Sequence, residues 1–247
     1  MIELLITLVL MLVVSPFLQG LKFGGLIEGV LLTLVLLAAV VVVGAGHGMR
    51  IVAVALAVIT VAGKWLYHFR PDLLPAEIFL TTGLLFVAFA VVNLLRFTLR
   101  APRVTIEVLC AAISNYLLIG LMWVFAYQLS AQLVPDSFNF ASGPSSSRMM
   151  DGFNALYFSF VTLSTIGYGD ITPLAPVTRM LAIVEATVGM FYMTVLVARL
   201  VALYSTKMQV STWYRDRCLR ISNCTLSTAF PIAETVVSIC ADGMRCK

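Results

Sequence analysis

The stretch Thr162–Asp170 reads TLSTIGYGD and has a glycine on either side of one tyrosine. The preceding segment, Asp151–Leu163, is semi-polar and rich in aromatic residues. It is too short to cross a bilayer, which takes about 20 mainly apolar residues. A short helix and irregular backbone between two apolar segments is the pattern of a re-entrant loop. Such backbone survives at membrane depth only where protein buries it or where it lines a water-filled path.

The glycine spacing in this stretch indicates what its backbone can do. If every carbonyl of a strand is to face one axis, the backbone must alternate between right- and left-handed conformations. Only glycine reaches the left-handed region freely, and Gly167 and Gly169 occupy alternate positions. Rings of such carbonyls from several chains can replace the hydration shell of a cation.

Residues Thr165–Asp170 match the signature T-V/I-G-Y-G-D at every position. The chain therefore resembles the tetrameric pore-loop potassium channels, strongly over residues 104–204, weakly over the first hundred residues, and not in the tail. The resemblance implies a bacterial-type subunit with six membrane spans and no voltage-sensor arginines. It also implies passive potassium conduction through a homotetramer, no enzymatic activity, and no cofactor besides the permeant ion. Four subunits are required because each chain supplies only one strand of the filter.

The resemblance assigns the ion sites to one segment, the selectivity filter, defined here as residues 165–169. By resemblance, potassium is bound by the carbonyls of Thr165, Ile166, Gly167 and Tyr168, and Gly169 completes the filter. The Thr165 hydroxyl closes its inner end.

Other residues are implied to support the filter. Tyr168 is expected to point away from the axis and pack against the pore helix, where Tyr157 and Phe158 are well placed. An aromatic donor at the offset of Tyr157 holds the filter aspartate in the family, which implies a hydrogen bond from Tyr157 to Asp170. Some members carry a carboxylate where this chain has Val161, so that carboxyl pair is absent.

A gating residue is also implied. Gly189 follows Gly167 by 22 residues, which matches the hinge glycine on the inner helix of the family. A glycine weakens helix continuity, which suits a bend that opens the cytoplasmic mouth.

Composition supports a membrane protein, because 61% of the 247 residues are hydrophobic and 11% are charged. Soluble domains are nearer half apolar and a quarter charged. We predict an all-α membrane protein with six transmembrane helices and a re-entrant pore helix and filter between spans five and six. The predicted spans cover residues 2–18, 26–43, 51–67, 78–95, 104–133 and 177–204. The predicted domains are a four-helix scaffold (1–100), a pore domain (101–205) and a short cytoplasmic tail (206–247).

Basic residues near the span ends predict the orientation. With both termini in the cytoplasm, more of them fall on the inner side than on the outer side. The inner set is Arg50, Arg96, Arg100, Arg103, Lys207, Arg215, Arg217 and Arg220, and the outer set is Lys22, Lys64, Arg70, Arg148 and Arg179. We expect a multi-pass protein of the plasma (inner) membrane, with lipid and potassium ions as partners and no nucleic acid.

The sequence leaves the gating stimulus open. The fourth predicted span, residues 78–95, contains no arginine, whereas steep voltage gating takes several charges per subunit. Glu185 lies inside the last span, where a carboxylate is a functional hypothesis by default. It either bonds the pore helix or a neighbouring subunit, or senses protons. Arg199 near the inner mouth is expected to extend outward or to pair.

Two alternative functions were weighed. The chain could be a subunit of a potassium-uptake transporter, although those proteins carry four degenerate pore repeats and this chain has one GYG. It could also be a non-conducting, modulatory or sensor subunit on a channel fold.

Metal binding by the tail is a minor alternative. The tail contains four cysteines, but none of them forms a CxxC pair: Cys218, Cys224, Cys240 and Cys246.

Overall fold

The computed structural model describes residues 1–18, 23–43, 47–70, 75–101, 105–141, 149–150 and 152–225. The side chains of residues 43, 47, 68, 200 and 203–225 are not described. The chain divides into two compact units, Met1–Leu196 and Val197–Lys247.

Seven helices and two short strands make up the described residues. The helices are α1 (Ile2–Leu18), α2 (Gly24–Val43), α3 (His47–Phe69), α4 (Ala76–Arg100), α5 (Ile106–Leu133), α6 (Gly152–Leu163) and α7 (Pro176–Thr225), and the strands are β1 (Phe138–Phe140) and β2 (Ile171–Pro173). Of these helices, α2, α3, α4, α5 and α7 are long and apolar enough to cross a membrane. The 17-residue α1 and the 12-residue α6 are shorter apolar helices. This mostly helical fold is consistent with the predicted all-α membrane protein.

The helix ends follow from local chemistry. At the start of α5, the Thr105 hydroxyl accepts a hydrogen bond from the Val108 amide at 3.4 Å, which satisfies one of the free amides of the first turn. At its end, the Val134 amide donates to the Ser130 carbonyl at 2.9 Å. Pro75 precedes α4, where its missing amide hydrogen costs nothing.

Helix α5 is central to the first unit, because it packs against α4, α6 and α1. Two glycines allow the close contacts. A Cβ atom at Gly83 of α4 would lie 2.6 Å from the Phe125 ring of α5, and one at Gly120 of α5 would lie 2.6 Å from the Phe160 ring of α6. Small residues at such contacts let helices approach closely in lipid.

The outer faces of the helices remain apolar. Large hydrophobic side chains are exposed along α1 to α4, where water would be an unfavourable neighbour. Among them are Ile6, Phe17, Leu37, Val41, Ile51, Val58 and Leu85. This pattern is typical of helices whose solvent is lipid hydrocarbon.

The predicted division into residues 1–100, 101–205 and 206–247 stays a prediction. Helices α4 and α5 make the most extensive helix–helix contact, and α1 also contacts α6, so the predicted scaffold and pore segments share one unit up to Leu196. Beyond the predicted end of the last span, α7 continues as helix to Thr225. Residues 226–247, which include Cys240 and Cys246, lie outside the described part, as do the side chains of Cys218 and Cys224.

Candidate functional site

Helix α6 directly precedes the filter and is held in place by its neighbours. Its buried side, which includes Leu156, Phe158 and Ser159, faces the protein interior, and α5 and α1 are its neighbours. The Ser159 hydroxyl donates to the Gly120 carbonyl of α5 at 2.9 Å. The side chain of Phe160 fills the space above Gly120. These contacts fix the end of α6 from which the filter starts.

The first amides of the filter turn back onto α6. Those of Thr165 and Ile166 donate to the carbonyls of Thr162 (2.9 Å) and Val161 (3.0 Å), and that of Gly167 also donates to Val161 (3.4 Å). The first three backbone amides of the filter are therefore all hydrogen-bonded to carbonyls of α6.

The filter backbone alternates in hand. Thr165, Gly167 and Gly169 have positive φ angles of 59°, 57° and 81°, while Ile166 and Tyr168 between them do not. The positive φ angles of the two glycines agree with the predicted alternation of the backbone, whereas the alignment of the carbonyls toward one axis stays a prediction. The positive φ of Thr165 was not predicted, because a β-branched residue with positive φ is a genuine outlier.

The carbonyls of the filter are available to a ligand. Among the described residues, no hydrogen bond is accepted by the backbone oxygens of residues 165–169, whereas the Asp170 carbonyl accepts one from the Ala141 amide at 2.8 Å. Residues 165–169 are exposed in the single chain, so their carbonyl oxygens are accessible from outside it. A row of such oxygens can coordinate a dehydrated cation.

Tyr168 turns its ring toward α6. It stacks on Tyr157, with ring centroids 6.4 Å apart and planes 6° from parallel. Burial, followed by a hydrogen bond and a charge interaction with Asp170, raises the pKa of Tyr157 to about 12. The hydroxyl is therefore a stable donor to Asp170 at physiological pH. Tyr157 therefore contacts both Tyr168 of the filter and Asp170, which follows the filter.

Phe158 has a different setting. Its ring packs edge-to-face on Tyr127 of α5, at 4.8 Å between centroids, and on Phe138 of β1, at 5.5 Å. The predicted support of the filter by Phe158 stays a prediction. Within this chain, Phe158 holds α6 against α5.

A two-stranded ribbon joins the chain before α6 to the chain after the filter. Strands β1 and β2 pair antiparallel, with Phe138 opposite Pro173 and Phe140 opposite Ile171. Strand β1 lies in the segment between α5 and α6, for which the sequence analysis predicted no strand. Strand pairing depends on the distant partner β2, which local composition does not reveal.

Glu185 of α7 lies at the junction of three helices. Its side chain is fully buried, with Oε2 2.5 Å from the Tyr127 hydroxyl of α5 and Oε1 2.6 Å from the Ser159 hydroxyl of α6. The sequence offered a bond to the pore helix as one role for Glu185, and the structure places it there. Neither Tyr127 nor Ser159 was recognised as a partner.

Gly189 lies one turn further along α7, where the helix passes the end of α6. A Cβ atom at Gly189 would be only 2.3 Å from the Leu163 carbonyl oxygen and 3.0 Å from its Cδ1. Helix α7 is continuous through this point. The structure thus gives this glycine a packing role that the sequence did not predict, while the hinge role stays a prediction.

Comparison with known proteins finds a family model that matches part of the chain. Residues 113–206, which run from within α5 to within α7, match a family model described as "Ion channel". Residues 113–206 resemble an ion-channel domain. The match contains α6, the filter and Glu185, so the features described above lie within the ion-channel segment.

The curated relatives are named as potassium channels. The chain is 41% identical over 61 residues to "Two-pore potassium channel 4" of Arabidopsis thaliana, which is 25% of this chain and 20% of that protein. It is 36% identical over 69 residues to "Two pore potassium channel c" of Oryza sativa subsp. japonica, or 28% of this chain and 14% of that protein. No solved structure gives a significant match.

The similarity to these relatives is confined to part of each protein. The aligned residues cover between 11% and 24% of the length of the curated relatives that the chain matches. The similarity therefore concerns residues 113–206 and a short part of each relative that is named as a potassium channel.

The Tyr157 contact gives a first testable prediction. Tyr157→Phe keeps the ring stacked on Tyr168 but removes the donor to Asp170. We expect the free energy of unfolding to fall by about 1 kcal/mol, because that is what one hydrogen bond contributes to stability. Tyr67→Phe on α3 is the matched control, since the Tyr67 hydroxyl makes no hydrogen bond within the described residues. Equal stability of both variants in thermal unfolding would show that the bond to Asp170 does not stabilise the filter.

Proposed function

We propose that the chain is one subunit of a potassium-selective channel, which conducts K⁺ passively across the membrane through a homotetrameric pore. The alternating backbone hand at Thr165, Gly167 and Gly169 carries this proposal. The backbone oxygens of residues 165–169 accept no hydrogen bond from the described residues, and we infer that the alternation aligns them toward one axis. The ion-channel match and the relatives named as potassium channels support it further.

The ion sites are assigned to the filter backbone. The carbonyl oxygens of Thr165, Ile166, Gly167 and Tyr168 replace the water shell of the ion, and the Thr165 hydroxyl closes the inner end of the row. Gly169 keeps the last carbonyl in line through its positive φ. Selectivity then depends on the number and field of the carbonyl dipoles around each ion.

Four copies of the chain are proposed because one filter strand supplies only one side of an ion cage. In the single chain, Ile166 is 55% exposed and Tyr168 is 69% exposed. A Cβ atom at Gly167 or Gly169 would meet no atom within 4 Å. Closed cyclic symmetry is the usual solution for identical subunits around one axis.

The inner helix supports the same assembly. Large apolar side chains are exposed along α7 at intervals of three and four residues, which places them along one broad face of the helix. They include Met180, Ile183, Val184, Met190 and Phe191. We propose that neighbouring subunits and the central cavity cover this face.

In the membrane, α1 is proposed as a sixth span beside the five longer helices. Helix α6 and the filter then form a re-entrant loop between α5 and α7, and both termini lie in the cytoplasm. The distribution of basic residues favours this orientation in the plasma (inner) membrane. Within α4, arginines occur only as Arg96 and Arg100 near its end, so we do not assign α4 a voltage-sensing role.

Ion flux into liposomes tests the proposal directly. Purified protein is reconstituted, and uptake of potassium, rubidium and sodium is compared, with barium as blocker. We expect barium-sensitive uptake of potassium and rubidium, with sodium at least about a hundredfold lower. The assembled particle is expected to have about four times the chain mass of 26.9 kDa.

Two other outcomes would count against the proposal. Equal sodium and potassium uptake would reject selectivity. No uptake at any pH from an assembled protein would favour the non-conducting or sensor subunit instead.

A further inference from the structure

The carboxyl group of Glu185 is the one acid that the described structure buries completely. Its two oxygens have separate partners on two helices, the Tyr127 hydroxyl at 2.5 Å and the Ser159 hydroxyl at 2.6 Å. Ser159 has a second contact, 2.9 Å from the Gly120 carbonyl oxygen. The site therefore joins α7 to α5 and α6 through four polar groups.

Counting hydrogens decides how these contacts can be satisfied. A serine hydroxyl has one hydrogen, and a backbone carbonyl can only accept. If Ser159 donates to Gly120, the 2.6 Å contact with Glu185 Oε1 needs a hydrogen from the acid. If Ser159 donates to Glu185 instead, two oxygens face each other at 2.9 Å with no hydrogen between them. Only a protonated acid gives every contact a hydrogen.

No positive charge compensates an ionised Glu185 in the described part of the chain. Its hydrogen-bonding partners are the two hydroxyls. The titratable groups that face it are Tyr127 and Tyr116, both on α5 and both neutral acids. Its neighbour on α6 is Ser159, and no lysine, arginine or histidine side chain among the described residues bonds to it. Burying an unpaired carboxylate is strongly unfavourable.

We propose that Glu185 is a neutral carboxylic acid that donates its proton from Oε1 to the Ser159 hydroxyl, and that this bonded acid positions the pore helix α6 under the filter. In this arrangement Tyr127 donates to Oε2 and Ser159 donates to Gly120. The acid thereby links the inner helix to both the pore helix and the outer helix. The consequence for conduction rests on the proposed channel function, whereas the protonation state does not.

The position of Ser159 connects this link to the filter. Ser159 lies one helical turn before Leu163, whose carbonyl touches Gly189 of α7. Two successive turns of α7 thus contact two successive turns of α6. Loss of the proton would place a negative charge between three helices, and we expect α6 to shift and conduction to fall as the pH becomes alkaline. Glu185 is therefore a positioning residue, since it acts through α6 and does not touch the ion.

Three variants separate the proton from the shape of the side chain. Glu185→Gln keeps the pattern, because its carbonyl accepts from Tyr127 and its amide donates to Ser159. Glu185→Ala removes both bonds. Glu107→Gln is the matched control, because Glu107 lies in the first turn of α5 and is exposed. All three are made in the full chain and reconstituted in liposomes.

The first measurement is the infrared spectrum of the purified protein at neutral pH. We expect a carbonyl band of a protonated carboxyl group in the wild type and in Glu107→Gln, and its loss in Glu185→Gln. This readout needs no ion flux. A wild-type spectrum without a protonated carboxyl band would overturn the proposal, whether or not the protein conducts.

The second measurement is the pH profile of rubidium flux and of the rubidium-to-sodium ratio. At neutral pH we expect Glu185→Gln to match the wild type, and Glu185→Ala to lose about tenfold in flux or selectivity. Above neutral pH the wild type is expected to lose flux while Glu185→Gln does not. Identical pH profiles for the two would overturn the positioning role. Absence of flux in every sample at every pH would contradict the channel function, and the infrared result would still decide the protonation state.

Discussion

Replacing Gly167 with alanine is expected to abolish potassium-selective flux while leaving the assembled protein in the membrane. Gly167 has a φ of +57°, and an L-residue in that region costs roughly 1–2 kcal/mol. In a tetramer the cost applies four times. The peptide is expected to rotate, which turns a carbonyl away from the ion path. Liposome uptake of rubidium and sodium measures the effect.

Gly29→Ala on α2 is the control for this variant. A Cβ atom at Gly29 meets nothing within 4 Å, and alanine favours the helix. Its flux and assembly are expected to equal those of the wild type. If Gly167→Ala also kept normal rubidium-over-sodium selectivity, the assignment of residues 165–169 as the ion path would be wrong.

Replacing Gly189 with alanine is expected to have a similarly large effect for a different reason. The added methyl group would lie 2.3 Å from the Leu163 carbonyl oxygen, so α7 must move away from α6. Overpacking of this kind costs about 1–3 kcal/mol per subunit. Because Leu163 is the last residue of α6, we expect loss of selectivity and weaker assembly, measured by flux and by thermal dissociation of the proposed tetramer.

A double variant separates this packing role from the predicted hinge. Gly189→Ala combined with Met190→Gly restores a flexible residue to α7 at an exposed position, since Met190 is 59% exposed. The backbone clash at residue 189 remains. We expect the double variant to be as impaired as the single one, whereas recovery of flux would support the hinge and contradict the packing role. The single variant Met190→Gly controls for the second change.

The helices could be predicted closely because apolar runs of this length have few other solutions. The predicted span 51–67 lies within α3 (His47–Phe69), and 78–95 lies within α4 (Ala76–Arg100). The differences are at the ends, where polar residues such as Arg96 and Arg100 extend a helix beyond its apolar part. Apolar content detects the part of a helix that lies in hydrocarbon, not the turns beyond it.

The candidate site was only partly predictable. The conformations of Gly167 and Gly169 follow from their own chemistry, since glycine at alternate positions permits an alternating backbone. The positive φ of Thr165 does not, because nothing in a threonine favours it. It follows from the amides of Thr165 and Ile166, which are held by the end of α6.

The contacts of Glu185 and Gly189 could not be predicted from the sequence, because their partners are distant along the chain. Tyr127 precedes Glu185 by 58 residues, and the filter and β2 lie between Leu163 and Gly189. Periodicity tells which face of a helix is apolar, but it does not tell which partner a residue meets. The buried acid was recognisable as unusual, and its partners required the fold.

The ribbon of β1 and β2 has a consequence for how this protein can be engineered. Phe140 pairs with Ile171, and the Ala141 amide bonds the Asp170 carbonyl, so the chain between them leaves and returns at one place. That excursion contains both α6 and the filter. Segments whose ends lie close together are exchanged between proteins with little disturbance. A graft that replaces this segment would join the rest of the chain at one place, and it would also have to keep the contacts of α6 with α1, α5 and α7.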